Sequence, residues 1–231
     1  MNLVLIHGSY FGSWCWQLVT PDLERLGHRV TAIDLPISER GRGASDYADV
    51  VIDGSDWADP PVLIAHSMAG LVAPIVAARR EVRRMIFIAS FLAKPGLSAM
   101  DQRAAEPIDP TTPPTTSEWT DLGDGLWSVG PNTARETFMQ DASDEVAAWA
   151  LPRLRPQFYG VMSEITPLIE WPAAASDYVV CRDDHAANPA WGRRAAVERL
   201  GVTATEMDGG HSPMLTRPAE LAALLDALAG A

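Results

Sequence analysis

Short apolar runs recur along the chain, and most are followed by a glycine or a polar turn and then by a helical pattern. These runs are continuous rather than alternating, which is typical of strands covered on both faces of a sheet. A weaker run over residues 202–207 alternates between apolar and polar positions and predicts a strand at the sheet edge. We predict the other strands at residues 3–6, 29–33, 62–65, 85–89 and 178–181.

Apolar residues recur at helical spacing between these runs. Gly27 and Gly201 stand where the first and third of the resulting helices should end, because glycine readily adopts the left-handed conformation that closes a helix. Strands that alternate with helices favour a mainly parallel sheet covered by helices on both faces, so we predict an α/β fold. The predicted helices span residues 14–26, 68–80, 191–200 and 218–228.

The alternation of strands and helices stops between residues 95 and 172, a segment that contains ten prolines and seven aromatic residues. A plain loop of this length is unusual in a compact domain, and an unstructured linker seldom carries so many large aromatic side chains. Short helical patterns at residues 135–139 and 144–151 favour a helical lid instead. We therefore predict a core built from residues 1–94 and 173–231, with a lid of residues 95–172 inserted into it.

Composition limits the class of protein. The chain has 231 residues, 47% of them hydrophobic, which excludes a disordered chain and suits a single α/β domain. A net charge of −12 and a single lysine, Lys94, argue against a nucleic-acid-binding surface and against attraction to a membrane of anionic lipid. Cys15 and Cys181 are too few for a disulfide framework, and no signal peptide or apolar span is recognisable. We expect a cytoplasmic protein.

The strand predicted at residues 62–65 leads into Ser67, which is flanked by small residues and followed by a predicted helix. This layout is typical of a nucleophile elbow, a sharp turn that lifts a serine hydroxyl above the end of a sheet. The usual pattern is G-x-S-x-G, whereas this chain has Ala65 and Ala69 at the two glycine positions. Alanine is the next smallest residue, so we expect Ser67 to be a nucleophile rather than only a helix cap.

A glycine-containing loop of residues 7–13 follows the first predicted strand. Such a loop at a strand end can direct backbone N–H groups at an oxyanion that develops during a reaction. The candidate donors are the N–H groups of Ser9 and of Met68, the residue after the candidate nucleophile. A plain turn is the alternative for the loop alone, and its combination with the elbow favours the catalytic interpretation.

His211 follows the last predicted strand, and Asp183 and Asp184 follow the one before it. A serine hydroxyl is a poor nucleophile at neutral pH and needs a histidine to accept its proton, while a carboxylate orients that histidine. The three positions at strand ends together favour a catalytic triad over a loop histidine and helix-capping aspartates. These side chains and His185 lack a compact metal-ligand motif, so no metal site is expected.

With these motifs in place, the chain resembles the α/β-hydrolase superfamily, and within it the small branch of methyl esterases, carboxylesterases and α-hydroxynitrile lyases. The resemblance covers nearly the whole chain outside the lid and implies a sheet of about six mostly parallel strands. It rests on residues 7–16, 34–36, 65–70, 178–181 and 210–215. It implies Ser67 as nucleophile, His211 as base and Ser9 and Met68 as oxyanion donors, and it favours Asp184 over Asp183 as the acid.

The sequence departs from this branch in ways that bear on the reaction. Its hydroxynitrile lyases have a lysine directly after the catalytic histidine, and most have a threonine after the first-strand histidine, whereas this chain has Ser212 and Gly8. Lyase chemistry is therefore disfavoured. The stretch before the elbow is short around residues 46–56, which predicts only a brief helix there.

These inferences predict a serine hydrolase that cleaves a carboxylic ester of a small apolar or aromatic substrate through an acyl-enzyme, without a cofactor. Aromatic residues near residues 7–13 and in the lid are expected to wall the substrate pocket: Tyr10, Phe11, Trp119 and Trp127. The alternatives are a lyase, a cofactor-free oxygenase or a cyclase that uses His211 as base, a thioesterase, and a non-catalytic ligand-binding relative. The identity of the ester and the oligomeric state stay open at this point.

Overall fold

A computed structural model of the chain describes residues 1–111 and 113–230, and Thr112 and Ala231 lie outside the described part. Its strands are β1 (Asn2–Ile6), β2 (Arg29–Ile33), β3 (Val62–His66), β4 (Arg84–Ile88), β5 (Trp119–Asp121), β6 (Leu126–Val129), β7 (Gln157–Phe158), β8 (Ser176–Cys181) and β9 (Thr205–Met207). Six of them form a parallel sheet with the order β2-β1-β3-β4-β8-β9. Each run predicted as a strand lies in this sheet, and the α/β fold class is confirmed.

Helices cover both faces of the parallel sheet. In chain order they are α1 (Thr20–Arg25), α2 (Ala44–Asp53), α3 (Ala73–Arg79), α4 (Ala99–Ala105), α5 (Pro131–Phe138), α6 (Asp144–Ala150), α7 (Gly160–Ser163), α8 (Pro189–Ala195), α9 (Pro213–Thr216) and α10 (Pro218–Ala229). Alternate residues of β1 point to opposite faces, so Val4 and Ile6 pack in the core under α2, α3 and α8. Leu3 and Leu5 pack in the other core, under α1 and α10. Within the described residues, no helix combines the length and apolar character needed to cross a bilayer.

Two of the predicted helices are interrupted near their start. The segments predicted at 14–26 and 68–80 each begin with a 3₁₀ turn, Ser13–Trp16 and Ser67–Leu71, before α1 and α3. Each α-helix has a proline in its first turn, where the missing N–H costs nothing, although the same proline cannot continue a preceding helix.

The expectation of only a brief helix before the elbow is wrong, because α2 has ten residues. Its N-terminal N–H groups have two acidic partners: Asp46 accepts from Gly43 N at 2.9 Å, and Glu164 of the inserted segment accepts from Ala44 N. These contacts satisfy N–H groups that the first turn of a helix leaves without a backbone partner. The Glu164 contact comes from far along the chain, so residues 46–56 alone did not reveal it.

The chain leaves the sheet after β4 and returns to it at β8, and the segment between them contains α4–α7 together with β5–β7. The three short strands form an antiparallel sheet with the order β5-β6-β7. The expectation of a purely helical lid is therefore incomplete. Gly123, Asp124 and Gly125 have positive φ and turn the chain from β5 to β6, and these strands of three and four residues are too short to show a period.

Candidate active site

Ser67 lies at the tight turn between β3 and the helical segment that follows it, with φ 55. A non-glycine residue in the left-handed region costs about 1–3 kcal/mol and persists only where its surroundings hold it. The turn packs against neighbours that have no side chain: a Cβ on Gly8 would lie 2.7 Å from Ser67 Cβ, and one on Gly70 would lie 1.8 Å from the Phe91 carbonyl oxygen. The strict requirement for glycine is thus at positions 8 and 70, while Ala65 and Ala69 fit as buried alanines.

The elbow is fixed by groups at the end of β4. The Ser67 carbonyl oxygen accepts hydrogen bonds from Phe91 N at 3.0 Å and from Ser90 Oγ at 2.7 Å. Tyr178 of β8 donates its hydroxyl to the Ser90 carbonyl at 2.7 Å and accepts from Ser90 N at 3.1 Å. Each of these three residues comes from the core sheet or its strand ends, so the sheet itself supports the strained turn.

The structure brings Ser67, His211 and Asp184 together in one hydrogen-bonded chain. His211 Nε2 lies 3.0 Å from Ser67 Oγ, and His211 Nδ1 lies 2.8 Å and 3.0 Å from the two carboxylate oxygens of Asp184. The side chains of His211 and Asp184 are each only 3% exposed. Because a carboxylate only accepts hydrogen bonds, Nδ1 carries the proton and the Nε2 lone pair faces the serine hydroxyl.

The structure separates the two candidate aspartates. Asp184 Oδ1 also accepts from Ala186 N at 2.7 Å and Ala187 N at 3.0 Å, which fixes the carboxylate toward His211. Asp183 is exposed, and its backbone N–H donates to Gly209 O at 3.1 Å. Only the first of these placements suits a carboxylate that orients a histidine.

Two further histidines, His66 and His7, are buried and form hydrogen bonds with backbone groups near the site. His66 Nε2 donates to the His211 carbonyl at 2.8 Å, and burial lowers the pKa of His66 well below its usual value. His7 accepts from Leu35 N at 2.9 Å and donates to Gly8 O at 2.8 Å, and burial lowers its pKa to about 4. Both rings are therefore neutral near pH 7, and each fixes a loop that meets Ser67.

A cavity of about 400 Å³ opens over the serine. Ser67, His211 and both candidate oxyanion residues, Ser9 and Met68, line it. Most of the remaining wall is apolar or aromatic, and a hydrogen-bonded pair, Arg103 and Asp109, is part of the lining. The aromatic residues that line it are Tyr10, Phe91, Trp119, Phe138, Tyr159 and Trp191.

Tyr10 and Trp119, two of the four residues predicted to wall the pocket, line this cavity, whereas Phe11 and Trp127 do not. Phe11 is 1% exposed and packs edge-on against His66 in the core, with 5.9 Å between ring centroids. Trp127 lies on β6 and packs against Tyr159, with 6.3 Å between ring centroids.

Sequence reasoning did not single out four aromatic residues of the cavity as pocket residues: Phe91, Phe138, Tyr159 and Trp191. Phe138 packs 5.9 Å from the His211 ring, measured between centroids. Phe138 and Tyr159 belong to the aromatic-rich inserted segment, which was the available signal. Trp191 lies on α8, which the sequence predicted only as a helix.

The protein is thus an α/β protein with a helix-covered parallel sheet. At the strand ends of this sheet, a serine, a histidine and an aspartate are hydrogen-bonded in the order of a catalytic triad. The model of the alpha/beta hydrolase family matches residues 3–224, and the chain belongs to that family. It is similar to Methylesterase 9 of Arabidopsis thaliana, with 26% identity covering 95% of this chain and 94% of that protein. It is also similar to Salicylic acid-binding protein 2 of Nicotiana tabacum, with 28% identity covering 97% of this chain and 95% of that protein.

Among solved structures, a pyrethroid hydrolase from Sphingobium faniae JZ-2 has the same fold. The match covers 100% of this chain and 98% of that one, with a TM-score of 0.77 and 22% sequence identity. This likeness shows that the fold of the chain has been observed by experiment.

Proposed function

We propose that the protein is a carboxylic ester hydrolase that acts through an acyl-enzyme. The observation that carries the proposal is the hydrogen-bonded chain from Ser67 Oγ through His211 to Asp184, at 3.0 Å and 2.8 Å, at the floor of a cavity. The names of the full-length plant relatives, a methylesterase among them, support an ester as the substrate class. Membership of the alpha/beta hydrolase family supports the same reaction class.

The proposed reaction has two halves. Ser67 Oγ attacks the ester carbonyl carbon while its proton moves to His211 Nε2, and the carbonyl oxygen becomes an oxyanion held by the N–H groups of Ser9 and Met68. His211 returns the proton to the departing alkoxide, so an alcohol leaves and the acyl group stays on Ser67. Water then repeats the attack with His211 as base, which releases the acid and restores the serine.

The cavity supports a small substrate with an apolar or aromatic group. Its volume, about 400 Å³, lies at the lower end of the range of ligand pockets, about 300–1,000 Å³. Six aromatic side chains are part of its lining, and they favour a flat, uncharged group by burying apolar surface. We therefore propose short esters with an aromatic or compact aliphatic acyl group over long-chain lipids.

A panel of oxygen esters and matched thioesters, assayed with the wild type and two variants, tests this function. Ser67→Ala removes the nucleophile and should lower kcat by about 10⁴-fold or more, because triad members act as a unit. Ser117→Ala changes an exposed serine of the inserted segment and should leave kcat unchanged. Faster turnover of thioesters would indicate a thioesterase, and an active Ser67→Ala would contradict the acyl-enzyme and favour chemistry that uses His211 alone.

A further inference from the structure

The loop of residues 7–13, called the oxyanion loop below, contains a strained residue. Tyr10 has φ 67, in the region that disfavours residues other than glycine. Such a conformation costs about 1–3 kcal/mol and needs contacts that hold it. Tyr10 directly follows Ser9, so its backbone angle sets the course of the chain next to the proposed oxyanion donor.

Arg155 of the inserted segment supplies these contacts. Its backbone N–H donates to the Tyr10 carbonyl at 2.8 Å, and its guanidinium Nη2 donates to the Phe11 carbonyl at 3.1 Å. Both acceptors belong to the strained turn itself. A residue about 145 positions away in the chain therefore fixes the backbone beside Ser9.

Asp34, which follows β2, completes a clamp around the oxyanion loop. Its two carboxylate oxygens accept from Arg155 Nη1 at 3.0 Å and Nη2 at 3.1 Å, the paired geometry that suits a guanidinium. Asp34 Oδ1 also accepts from Ser13 N at 2.9 Å, at the far end of the loop. A Cβ on Gly12 would lie 2.8 Å from this oxygen, so glycine at position 12 allows the carboxylate to approach.

We propose that Arg155 and Asp34 are positioning residues that hold the Ser9 N–H in the geometry of the oxyanion hole. The proposal rests on the proposed function, since it assigns these residues to the transition state of that reaction. Neither side chain lines the cavity, so the pair acts through the loop and not by touching substrate. Donors in an oxyanion hole act only when they are already aimed at the developing charge, which is why the clamp matters.

The test measures kcat and KM for Arg155→Met, Arg155→Lys and Asp34→Asn. We expect kcat to fall about 10- to 100-fold, part of the 10²–10³ that the loss of an oxyanion donor costs, while KM stays within about twofold. Arg155→Lys should restore little, because an ammonium group cannot form the paired contact. Combining Arg155→Met with Asp34→Asn should cost little more than either alone, because both remove one clamp.

Arg153→Met is the matched control. Arg153 lies two residues earlier, stacks on the Trp149 ring at 4.7 Å and donates to the Trp149 carbonyl rather than to a residue of the oxyanion loop. It should keep kcat within about twofold, as expected for a surface substitution. Labelling of Ser67 by a fluorophosphonate gives a second readout, because the phosphonyl oxygen uses the same donors, and the rate should fall in parallel with kcat.

The outcomes separate this inference from the proposed function. An active wild type with unchanged kcat in Arg155→Met would overturn the clamp and leave the esterase intact. A raised KM with unchanged kcat would also overturn it, because it would place Arg155 in substrate binding. A wild type that neither hydrolyses esters nor reacts with the fluorophosphonate would overturn the proposed function, and the clamp with it.

Discussion

The elbow at Ser67 and the oxyanion loop both contain a non-glycine residue with positive φ, at Ser67 and Tyr10, yet different parts of the fold hold them. The elbow is held from within the core sheet, through Ser90, Phe91 and Tyr178. The oxyanion loop is held from the inserted segment, through Arg155, as well as from the end of β2, through Asp34. The proposed nucleophile is thus held by the core sheet, whereas the proposed oxyanion donor also depends on the inserted segment.

The loops that carry the proposed base, His211, and the proposed acid, Asp184, also contact the inserted segment. Asp141 of the inserted segment accepts from Gly210 N at 3.0 Å, next to His211, and Gln140 donates to the Asp183 carbonyl at 2.5 Å, next to Asp184. The inserted segment therefore does more than enclose the cavity, since it contacts the backbone beside three proposed catalytic groups. Removing the Tyr178 hydroxyl from the core sheet should accordingly change mainly Tm, whereas removing the Arg155 guanidinium from the inserted segment should change mainly kcat.

The largest effect is expected at Asp184, whose carboxylate lies 2.8 Å from His211 Nδ1. Asp184→Asn keeps the shape of the side chain but lets an amide face Nδ1, which favours the wrong histidine tautomer. We expect kcat to fall about 10⁴-fold. Asp183→Asn alters the exposed neighbour and should leave kcat within about twofold in the same assay. Equal losses in both variants would contradict the assignment of the acid.

Gly70→Ala should break the elbow. The added Cβ would lie 1.8 Å from the Phe91 carbonyl oxygen, so the peptide that holds Ser67 must move. A displacement of this kind costs about 100-fold in activity, and we expect a lower Tm as well. Gly230→Ala, at the end of α10, adds a methyl group that meets only ordinary contacts, 3.4 Å from the Asp226 carbonyl oxygen, at a residue without positive φ, and it should leave kcat unchanged. Normal turnover by Gly70→Ala would show that the elbow tolerates a wider turn.

Low pH should lower the stability of the protein through two buried histidines, His7 at the oxyanion loop and His66 at the elbow. Burial lowers the pKa of His7 to about 4 from the ordinary 6.5, so below pH 6.5 the unfolded chain binds a proton that the folded chain refuses. The free energy of unfolding should therefore fall as pH drops from 6.5 to 4, by a few kcal/mol. Denaturant titrations between pH 4 and 7 would measure this, and His7→Asn should flatten the curve. If the free energy of unfolding of His7→Asn and of the wild type fell equally with pH, His7 would not be the source of the pH dependence.

Tyr178→Phe should give the smallest effect and the clearest contrast with Arg155. It leaves the N–H and carbonyl of Ser90 without their hydroxyl partner, at about 1–3 kcal/mol, which lowers Tm by about 2–4 °C for each kcal/mol. Phe91 N still holds the Ser67 carbonyl, so kcat should fall less than tenfold. Tyr47→Phe removes a hydroxyl from α2 and should not alter kcat. If Tyr178→Phe lost much of its kcat without a change in Tm, it would behave like the Arg155 variants. The elbow and the oxyanion loop would then not differ in how their supporting contacts affect activity.

The sequence predicted the parallel sheet because five of its strands follow the pattern of continuous apolar runs with turn residues behind them, and the sixth, at the sheet edge, follows an alternating run. It also placed Ser67, Asp184 and His211 at strand ends, and parallel topology alone brings such ends together. It did not reveal Arg155, because that residue and its partner Asp34 lie 121 positions apart and a single arginine among many gives no local signal. The β5–β7 sheet was missed for a related reason, since its strands of two to four residues depend on tertiary contacts.

The proposed role of Ser67 is tested by the intact mass of the protein after treatment with a fluorophosphonate, with Ser67→Ala treated in parallel. We expect one phosphonyl adduct on the wild type, mapped to the peptide that contains Ser67, and no adduct on the folded variant. A folded wild type that gains no adduct, or a variant that gains the same adduct, would contradict the claim that Ser67 is an activated nucleophile.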